Sequence, residues 1–310
     1  MIPGLTTLRS RSWLVWAVIL LVPPSFACSI CRCGDPTFNA LGKEGVAQNG
    51  LRLALDWDQV DKTQGAPDEL ESIRETRLTL LAAHSIGERF DVFARLPYSE
   101  RRLEEGGEST HTTGWADPEF YAQARLWSSG FEGDVGMRSS VYLVGGVKTA
   151  WGQNDLARDG ERLDEHVQPG TGSTDWFGGL SGFYQLDPRS ALFASAQYRH
   201  TGRNDAGYQY GRVSLFNLAY EHKLGVRWDG VLEANYRHSG RDELDDSAAV
   251  DPDTGGSMVY LTPRLLFDAG SGWVLRLSAQ IPLSQSGLNG EQQERAVYNF
   301  GVTHLFGGQR

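Results

Sequence analysis

The sequence predicts an all-β protein, a transmembrane antiparallel up-and-down β-barrel of about twelve strands that follows a cleaved signal peptide. Segments of alternating apolar and polar residues recur along almost the whole chain, no comparable helical period lies between them, and short connections alternate with long ones. A closed barrel explains two-faced strands without intervening helices, because every strand is then paired on both edges.

Residues 273–283 show the pattern most clearly. They read Trp-Val-Leu-Arg-Leu-Ser-Ala-Gln-Ile-Pro-Leu, with Arg276, Ser278 and Gln280 between apolar neighbours. Successive residues of a strand point to opposite faces, so this segment has one apolar and one polar face. A length of roughly 10 to 12 residues is enough to cross a bilayer at the tilt of barrel strands. Trp273 stands where an interfacial aromatic residue is expected.

The composition agrees with a folded membrane barrel. The chain has 310 residues with 37 Gly, 33 aromatic residues (9 Trp, 11 Tyr and 13 Phe) and 22% charged residues, which disfavours disorder. A mean hydropathy of −0.38 does not exclude a membrane barrel, because only alternate residues face lipid. The net charge of −10 argues against nucleic acid as a partner.

The N-terminus is predicted to be a secretory signal. It has a basic start (Arg9, Arg11), then an apolar run too short to span a bilayer as a helix, and a small residue, Ala27, before Cys28. The predicted division is a signal peptide at 1–27, a Cys-containing periplasmic segment at 28–49 and an outer-membrane barrel at 50–310.

Three cysteines follow the predicted cleavage site: Cys28, Cys31 and Cys33. Three hypotheses compete: lipidation of Cys28, a soft metal such as Cu(I) or Zn(II) held by the thiolates, and one disulfide with a spare thiol. A fourth metal ligand is not evident. His84 and His304 are candidates, because they fall on the two strands that flank the first.

Twelve strands are predicted. Connections after even-numbered strands, near Gly87, Asp187, Gly225 and Gly270, are mostly short, whereas those after odd-numbered strands are long. Outer-membrane barrels combine short periplasmic turns, long external loops and periplasmic termini. The strands are predicted from Leu51 onward and then at 73–85, 89–101, 115–127, 139–151, 174–186, 190–201, 210–222, 227–238, 258–268, 273–283 and 297–306.

Several connections are predicted to be polar and solvent-exposed: 104–113, 155–168 and 242–253. The last is rich in Asp residues (242, 245, 246, 251 and 253), and carboxylates are ligands that Ca²⁺ prefers. The spacing lacks the regularity of a dedicated calcium loop, which favours a solvated external loop.

The alternation of side chains between the two faces of each predicted strand assigns many charged residues to the lumen. In lipid a charged side chain near the midplane costs about 2–4 kcal/mol, so these residues are predicted to face inward. The lumen is either plugged by salt bridges or open as a narrow polar pore, and the mixed charge favours small polar or zwitterionic solutes. The predicted lumen-lining residues are Arg52, Asp56, Glu75, Arg77, Asp91, Arg95, Arg125, Lys148, Arg199, Asp229, Glu233, Arg237, Arg264 and Arg276.

Residues 145–182 resemble a known family. After Gly-Gly-Val-Lys-Thr-Ala-Trp-Gly, the positions Gly170, Gly172, Ser173 and Asp175 match the Gly-x-Gly-Ser-x-Asp that opens a strand in that family. The family is that of phenol meta-degradation-pathway outer-membrane barrels, which is distantly similar to long-chain fatty-acid and aromatic-hydrocarbon transporters. The resemblance implies a barrel that acts in transport. It does not account for the cysteines.

The predicted function is a non-enzymatic outer-membrane channel or transporter for small solutes, with a thiol metal site at its periplasmic N-terminus as an attached hypothesis. Expected partners are outer-membrane lipid, lipopolysaccharide, the barrel-assembly machinery and the solute. One alternative is a lipid-modifying hydrolase, which needs a nucleophile beside a base on the lipid-facing wall, where His84, His222 and His304 are candidate bases. Another is an assembly barrel whose Cys segment docks a periplasmic metal or redox partner.

Overall fold

The computed structural model describes residues 50–64, 71–129, 139–244, 249–250, 254–287 and 293–306. All its regular elements are strands: β1 (Leu51–Gln64), β2 (Glu71–Ile86), β3 (Phe90–Glu105), β4 (Glu108–Trp115), β5 (Glu119–Ser129), β6 (Ser139–Lys148), β7 (Ala157–Arg158), β8 (Glu161–Arg162), β9 (Asp175–Asp187), β10 (Ser190–His200), β11 (Val213–Lys223), β12 (Trp228–Ser239), β13 (Glu243–Leu244), β14 (Ala249–Val250), β15 (Gly256–Gly270), β16 (Trp273–Gly287), β17 (Gln293–Glu294) and β18 (Val297–Phe306).

The strands close into an antiparallel barrel. Each wall strand pairs with its neighbours along the chain, and β1 closes the ring by pairing with β18 from Leu51↔Phe306 to Gln59↔Tyr298. Two wall strands are interrupted, because β4 and β5 pair with successive halves of β3, and β17 and β18 pair with successive parts of β1. Counting each interrupted strand once gives the predicted twelve, so the up-and-down barrel is confirmed.

The wall has an apolar outer face. On β11, Val213 and Leu215 are 1% exposed inside the barrel, whereas Phe216 and Leu218 are 51% and 54% exposed outside it. The same alternation around the ring produces a continuous belt of exposed apolar side chains. Such a belt suits hydrocarbon, where the closed ladder also satisfies the backbone groups of the wall. No helix among the described residues is long and apolar enough to cross a membrane.

The two ends of the barrel differ. At one end, here called the turn end, β9–β10, β11–β12 and β15–β16 are joined by two to four residues. The β15–β16 turn needs glycine: Gly272 has φ +84°, and a Cβ there would lie 2.6 Å from the Leu305 carbonyl oxygen. The opposite end, here called the loop end, carries the long connections after β6, β10 and β12.

Several strands extend beyond the predicted bounds. The predicted polar loop 104–113 is wrong, because β3 and β4 continue to a tight turn at Gly106 and Gly107, which have φ +56° and +89°. Apolar alternation ends there because the buried positions include polar residues such as Arg101 and Thr112, yet the hydrogen-bond ladder continues. Thr residues such as Thr110 and Thr112 suit a strand, since they are β-branched.

The signal peptide at 1–27 and the cysteine segment at 28–49 lie outside the described residues. The metal, disulfide and lipidation hypotheses for Cys28, Cys31 and Cys33 therefore stay predictions.

We expect Leu218→Arg to lower the free energy of unfolding by about 2–4 kcal/mol, because Leu218 lies outward at the middle of β11 and the guanidinium would face hydrocarbon. Urea titration of the barrel in lipid vesicles measures this. The matched control is Val226→Arg, at a turn position that is 100% exposed, where we expect almost no change. Equal costs at both positions would contradict a membrane-embedded belt.

Candidate permeation pathway

The predicted lumen-lining residues lie on the inner face of the barrel. Ten of the fourteen are buried, and Arg52, Asp91, Arg125 and Asp229 are half-buried. The buried ones are Asp56, Glu75, Arg77, Arg95, Lys148, Arg199, Glu233, Arg237, Arg264 and Arg276.

Ion pairs join these side chains across strands that are far apart in the sequence. Arg276 on β16 contacts Asp56 on β1. Arg264 Nη2 lies 3.0 Å from Glu233 Oε2, and the Asn235 side-chain amide donates to Glu233 Oε1 at 2.6 Å. Because a buried charge is costly without a partner, these contacts are what allow the charges to stay inside.

A second group crosses the barrel interior. Glu119 on β5 lies 2.8 Å from Arg199 on β10, although β6 and β9 stand between them in the wall. Arg95 approaches the other oxygen of Glu119 at 3.3 Å. The pair therefore spans a chord of the lumen and narrows it near the loop end of β10.

Residues 149–174 are here called the inward loop, because their second part, residues 166–171, is buried at the loop end of the barrel. Val167 and Gln168 are 1% and 0% exposed. Arg101 on β3 donates from Nη1 to the carbonyl oxygens of His166 and Gln168 at 3.2 and 2.5 Å. The prediction that 155–168 is exposed is therefore wrong for residues 166–168, which are buried because the carbonyls of His166 and Gln168 satisfy a buried guanidinium.

Asp117 anchors the inward loop. Its Oδ2 accepts hydrogen bonds from the backbone N–H and the hydroxyl of Thr171, both at 2.7 Å, and its Oδ1 accepts from the Gly152 N–H at 2.9 Å. Lys148 Nζ lies 3.2 Å from Asp117 and 3.1 Å from Asp175. One carboxylate thus holds both ends of the loop.

Glycines are required where the ends of the loop meet. A Cβ on Gly152 would lie 2.7 Å from the Ala116 carbonyl carbon, and one on Gly170 would lie 2.8 Å from the Gly152 Cα. The motif recognised in the sequence at Gly170, Gly172, Ser173 and Asp175 is therefore part of the anchor. Sequence reasoning missed Asp117 itself, although the Asp-Pro pair at 117–118 interrupts a predicted strand.

An arc of aromatic residues lines the inner wall from β3 to β10. Phe93 and Tyr121 stack at 4.4 Å between ring centroids with 3° between their planes, and the Tyr121 and Phe177 centroids are 5.9 Å apart. Phe183 and Phe193 follow at 5.1 Å. We call these five residues the aromatic arc.

The arc lies against small and apolar neighbours. Phe183 and Phe193 pack with buried Ala219 and Val231. Gly146 makes room for Tyr121 and Phe177, because a Cβ there would lie 2.3 Å from the Tyr121 Cβ. Phe93 alternates with the predicted lumen-lining residues Asp91 and Arg95, which was a signal for an inward aromatic side chain, but sequence reasoning did not recognise an arc.

His166 fastens the inward loop to its neighbours. Its Nδ1 lies 2.9 Å from Asp164 Oδ1, and its Nε2 lies 3.1 Å from Tyr208 Oη and 3.8 Å from Asp242 Oδ2. Burial lowers the pKa of His166, but its hydrogen bonds and charge interactions with Asp164 and Asp242 outweigh this and raise the pKa to about 10. The imidazole is therefore charged at neutral pH.

The sequence predicts that Asp242 belongs to a solvated loop, and this prediction is wrong. Asp242 is 0% exposed, and it accepts hydrogen bonds from Tyr208 Oη at 2.5 Å and the Gly211 N–H at 2.7 Å. The other four aspartates of the proposed calcium loop lie outside the described residues. Within the described ranges, no group of three or more His, Cys, Asp or Glu residues could hold a metal ion.

The three candidate bases lie at the turn end. His84 Nδ1 is 3.0 Å from the Gly50 carbonyl oxygen, and His304 packs against Trp273 at 4.4 Å. His222 Nδ1 is 2.9 Å from Ser190 Oγ, but Ser190 is only 6% exposed. That contact is a cross-strand hydrogen bond at the end of a hairpin, which does not favour a hydrolase.

Comparisons with known proteins agree with this architecture. The sequence model of the family described as "Putative MetA-pathway of phenol degradation" matches residues 69–300, as the resemblance predicted. A COG4313 outer membrane channel from Pseudomonas putida F1 has a TM-score of 0.64 at 12% identity, covering 85% of this chain and 97% of that one. The translocator domain of the autotransporter NalP from Neisseria meningitidis has a TM-score of 0.51 at 13% identity, covering 87% and 93%. No curated protein matches the sequence.

We expect Asp117→Ala to release the inward loop, because Thr171 and Gly152 lose their acceptor and Lys148 loses one of its carboxylates. Val167→Cys, in a background with the three native cysteines changed to Ser, reports the release as maleimide labelling of a position buried in the parent. The matched control is Asp155→Ala, an exposed acid of the same loop. Labelling that is unchanged by Asp117→Ala would contradict the anchor.

The loop contact made by His166 should depend on pH. Its folded pKa of about 10 lies above the unfolded value of 6.5, so its stabilisation is fully present below pH 6.5 and is lost as the pH rises through 10. We expect the conductance of the wild-type barrel in planar bilayers to rise between pH 7 and 10.5. His166→Gln should show the higher conductance already at pH 7, whereas His111→Gln, at an exposed histidine on β4, should behave as wild type.

Proposed function

We propose that this chain, which belongs to the phenol-degradation barrel family whose model it matches over residues 69–300, is an outer-membrane channel for small amphipathic aromatic solutes. The observation that carries the proposal is the aromatic arc beside the inward-facing charges. A passage with both surfaces offers ring contacts and polar contacts to the same solute.

The charges set the polar side of the passage. Glu119, Arg199 and Arg95 lie in the same part of the wall as Phe177, and the Arg199 guanidinium carbon lies 4.8 Å from the Phe177 ring centroid. A solute that passes here meets an aromatic surface and charged groups together. This modifies the expectation of purely polar or zwitterionic solutes, which rested on the charges alone.

The inward loop is the gate of the proposed channel. It occupies the loop end of the lumen. Its polar contacts run from Gln168 to Arg101, from Thr171 to Asp117 and from His166 to Asp242, and Val167 packs in an apolar cluster with residues such as Leu103 and Leu215. Polar contacts of this kind can be exchanged for water one at a time, which suits a segment that moves aside for a solute.

We also propose that the loop end faces the cell exterior and the N-terminus faces the periplasm. The support is the asymmetry of connection lengths, since outer-membrane barrels have short periplasmic turns and long external loops. Gly50, where the described barrel begins, lies at the turn end, where its carbonyl oxygen accepts the Ser85 N–H at 3.2 Å.

The thiols at Cys28, Cys31 and Cys33 would then lie on the periplasmic side. We propose that they act apart from the barrel, because the ring is already closed by pairs among the described residues, from Leu51↔Phe306 to Gln59↔Tyr298. Metal retained by reduced protein and lost on changing the three cysteines to Ser would support a Cu(I) or Zn(II) site. A deficit of two alkylatable thiols without metal would support a disulfide.

Permeation through proteoliposomes tests the proposed solute class. We expect phenylalanine to permeate faster than glutamine, because aromatic pairs contribute about 0.5–1.5 kcal/mol and so about a two- to tenfold preference. Phe93→Ser combined with Phe193→Ser should abolish the preference while the barrel stays folded.

The matched control is Phe216→Ser, which removes an aromatic ring from the outer face of β11. It should keep the wild-type preference. Equal permeation of both amino acids through wild-type protein would refute the aromatic preference, and the absence of discrete conductance steps in planar bilayers would refute the channel.

A further inference from the structure

The outer wall carries a group of cationic and histidine side chains at the loop end of β10, β11 and β12. The register Arg199↔Val213 places His200 and Arg212 one step further along both strands, and the Gly240 N–H donates to the Arg212 carbonyl at 2.7 Å. His238 lies opposite Ser214, two residues from Arg212. Directly opposed side chains in a sheet are about 5 Å apart and diagonal ones about 7–8 Å. We call His200, Arg212 and His238 the rim patch.

The rim patch faces outward. Buried Val213 points into the barrel, so its neighbour Arg212 points away from it, and both Arg212 and His200 are exposed. His238 is half-buried, and its Nδ1 lies 3.1 Å from Ser257 Oγ.

Aromatic side chains lie beside and below the rim patch on the same face. Trp176, the β9 partner of His200, is 63% exposed, and Tyr198 is 50% exposed. Exposed Trp and Tyr residues concentrate at the level of the lipid headgroups in membrane barrels. The patch therefore lies where the charged groups of lipids are, rather than in the hydrocarbon or in bulk water.

On the opposite wall, outward basic side chains at the loop end contact carboxylates. There Arg74 pairs with Asp61 at 3.0 Å, and His111 contacts Glu100 at 2.9 Å. In the loop beside the rim patch, Glu243 is paired with Arg203 at 2.9 Å.

In the described part of the chain, neither Arg212 nor His200 has a carboxylate within ion-pair distance. Asp205 is exposed on the connecting loop, and Asp242 is buried on the inner side. The rim patch is thus an outward-facing group at the level of the lipid headgroups. Its Arg212 and His200 have no carboxylate partner among the described residues, so an external anion can bind there.

We propose that the rim patch binds the phosphate of a lipid headgroup in the outer leaflet, which in an outer membrane is the phosphorylated glycolipid lipopolysaccharide. This rests on the proposed orientation with the loop end outward. The Arg212 guanidinium supplies paired N–H donors that match phosphate oxygens, and the two imidazoles supply further donors on either side. The neighbouring Trp176 and Tyr198 rings border the acyl chains below.

Titration of diphosphorylated lipid A into nanodiscs of phosphatidylethanolamine that hold the full chain tests the proposal, with bound lipid A counted by native mass spectrometry. We expect the combined variant His200→Ala, Arg212→Ala, His238→Ala to bind lipid A about tenfold more weakly than wild type, because it loses charge-assisted hydrogen bonds. Dephosphorylated lipid A should bind both proteins equally weakly.

The matched control is Arg74→Ala with His111→Ala, which removes an outward arginine and an outward histidine that already contact carboxylates, and it should bind lipid A as wild type does. Equal binding by the patch variant and wild type would overturn the proposal, as would equal loss in the control. If millimolar inorganic phosphate alone displaced lipid A, the proposal of a lipid ligand would be overturned, and the rim patch would be a site for a small anion.

Two further measurements separate this proposal from the channel. The patch variant should keep wild-type heat-modifiable migration and wild-type conductance, because the rim patch lies outside the lumen. Loss of lipid A binding at unchanged conductance supports the rim patch, whereas loss of conductance in step with lipid A binding would contradict its separation from the channel.

Discussion

The closed hydrogen-bond ladder is the constraint on which the rest of this structure depends. In hydrocarbon an unpaired backbone N–H or C=O group costs several kcal/mol, so the sheet has to close, and it does so where β1 meets β18 from Leu51↔Phe306 onward. Closure fixes the direction of every side chain in the wall. Outward positions become apolar, as on β11, and the charged residues that lipid would exclude lie at inward positions beside apolar ones such as Val213 and Leu215.

The inward charges then create a second constraint, because each buried charge needs a partner. Glu233 is 0% exposed and tolerable only because Arg264 and Asn235 contact it. Removing one member of such a group leaves its partner buried and uncompensated, at a cost of about 3–5 kcal/mol. The charges therefore act as braces across the lumen, and the aromatic arc places ring faces beside them, with the Arg199 guanidinium carbon 4.8 Å from the Phe177 ring centroid.

The alternation of apolar and polar residues in the sequence was enough to predict the barrel, its twelve strands and the inward direction of residues such as Asp56 and Arg276. It could not predict which charges meet, since Asp56 and Arg276 are 220 residues apart and alternation contains no information about register around the ring. Elements outside the bilayer were also missed. The strand β4 has no apolar face to reveal it, and the inward loop has no periodicity, so only long-range contacts such as Arg101 to Gln168 define its path.

The interruption between β4 and β5 and the position of the inward loop have a common cause. Pro118 has no N–H to donate, and its carbonyl accepts from the Thr149 N–H at 2.9 Å. Beyond this point β6 has ended, so the free edge of β4 pairs instead with Gln153, whose N–H donates to the Trp115 carbonyl at 2.9 Å. The loop is thereby drawn inward along an edge that would otherwise be exposed, and the Asp117 carboxylate, turned inward at the interruption, fixes it there.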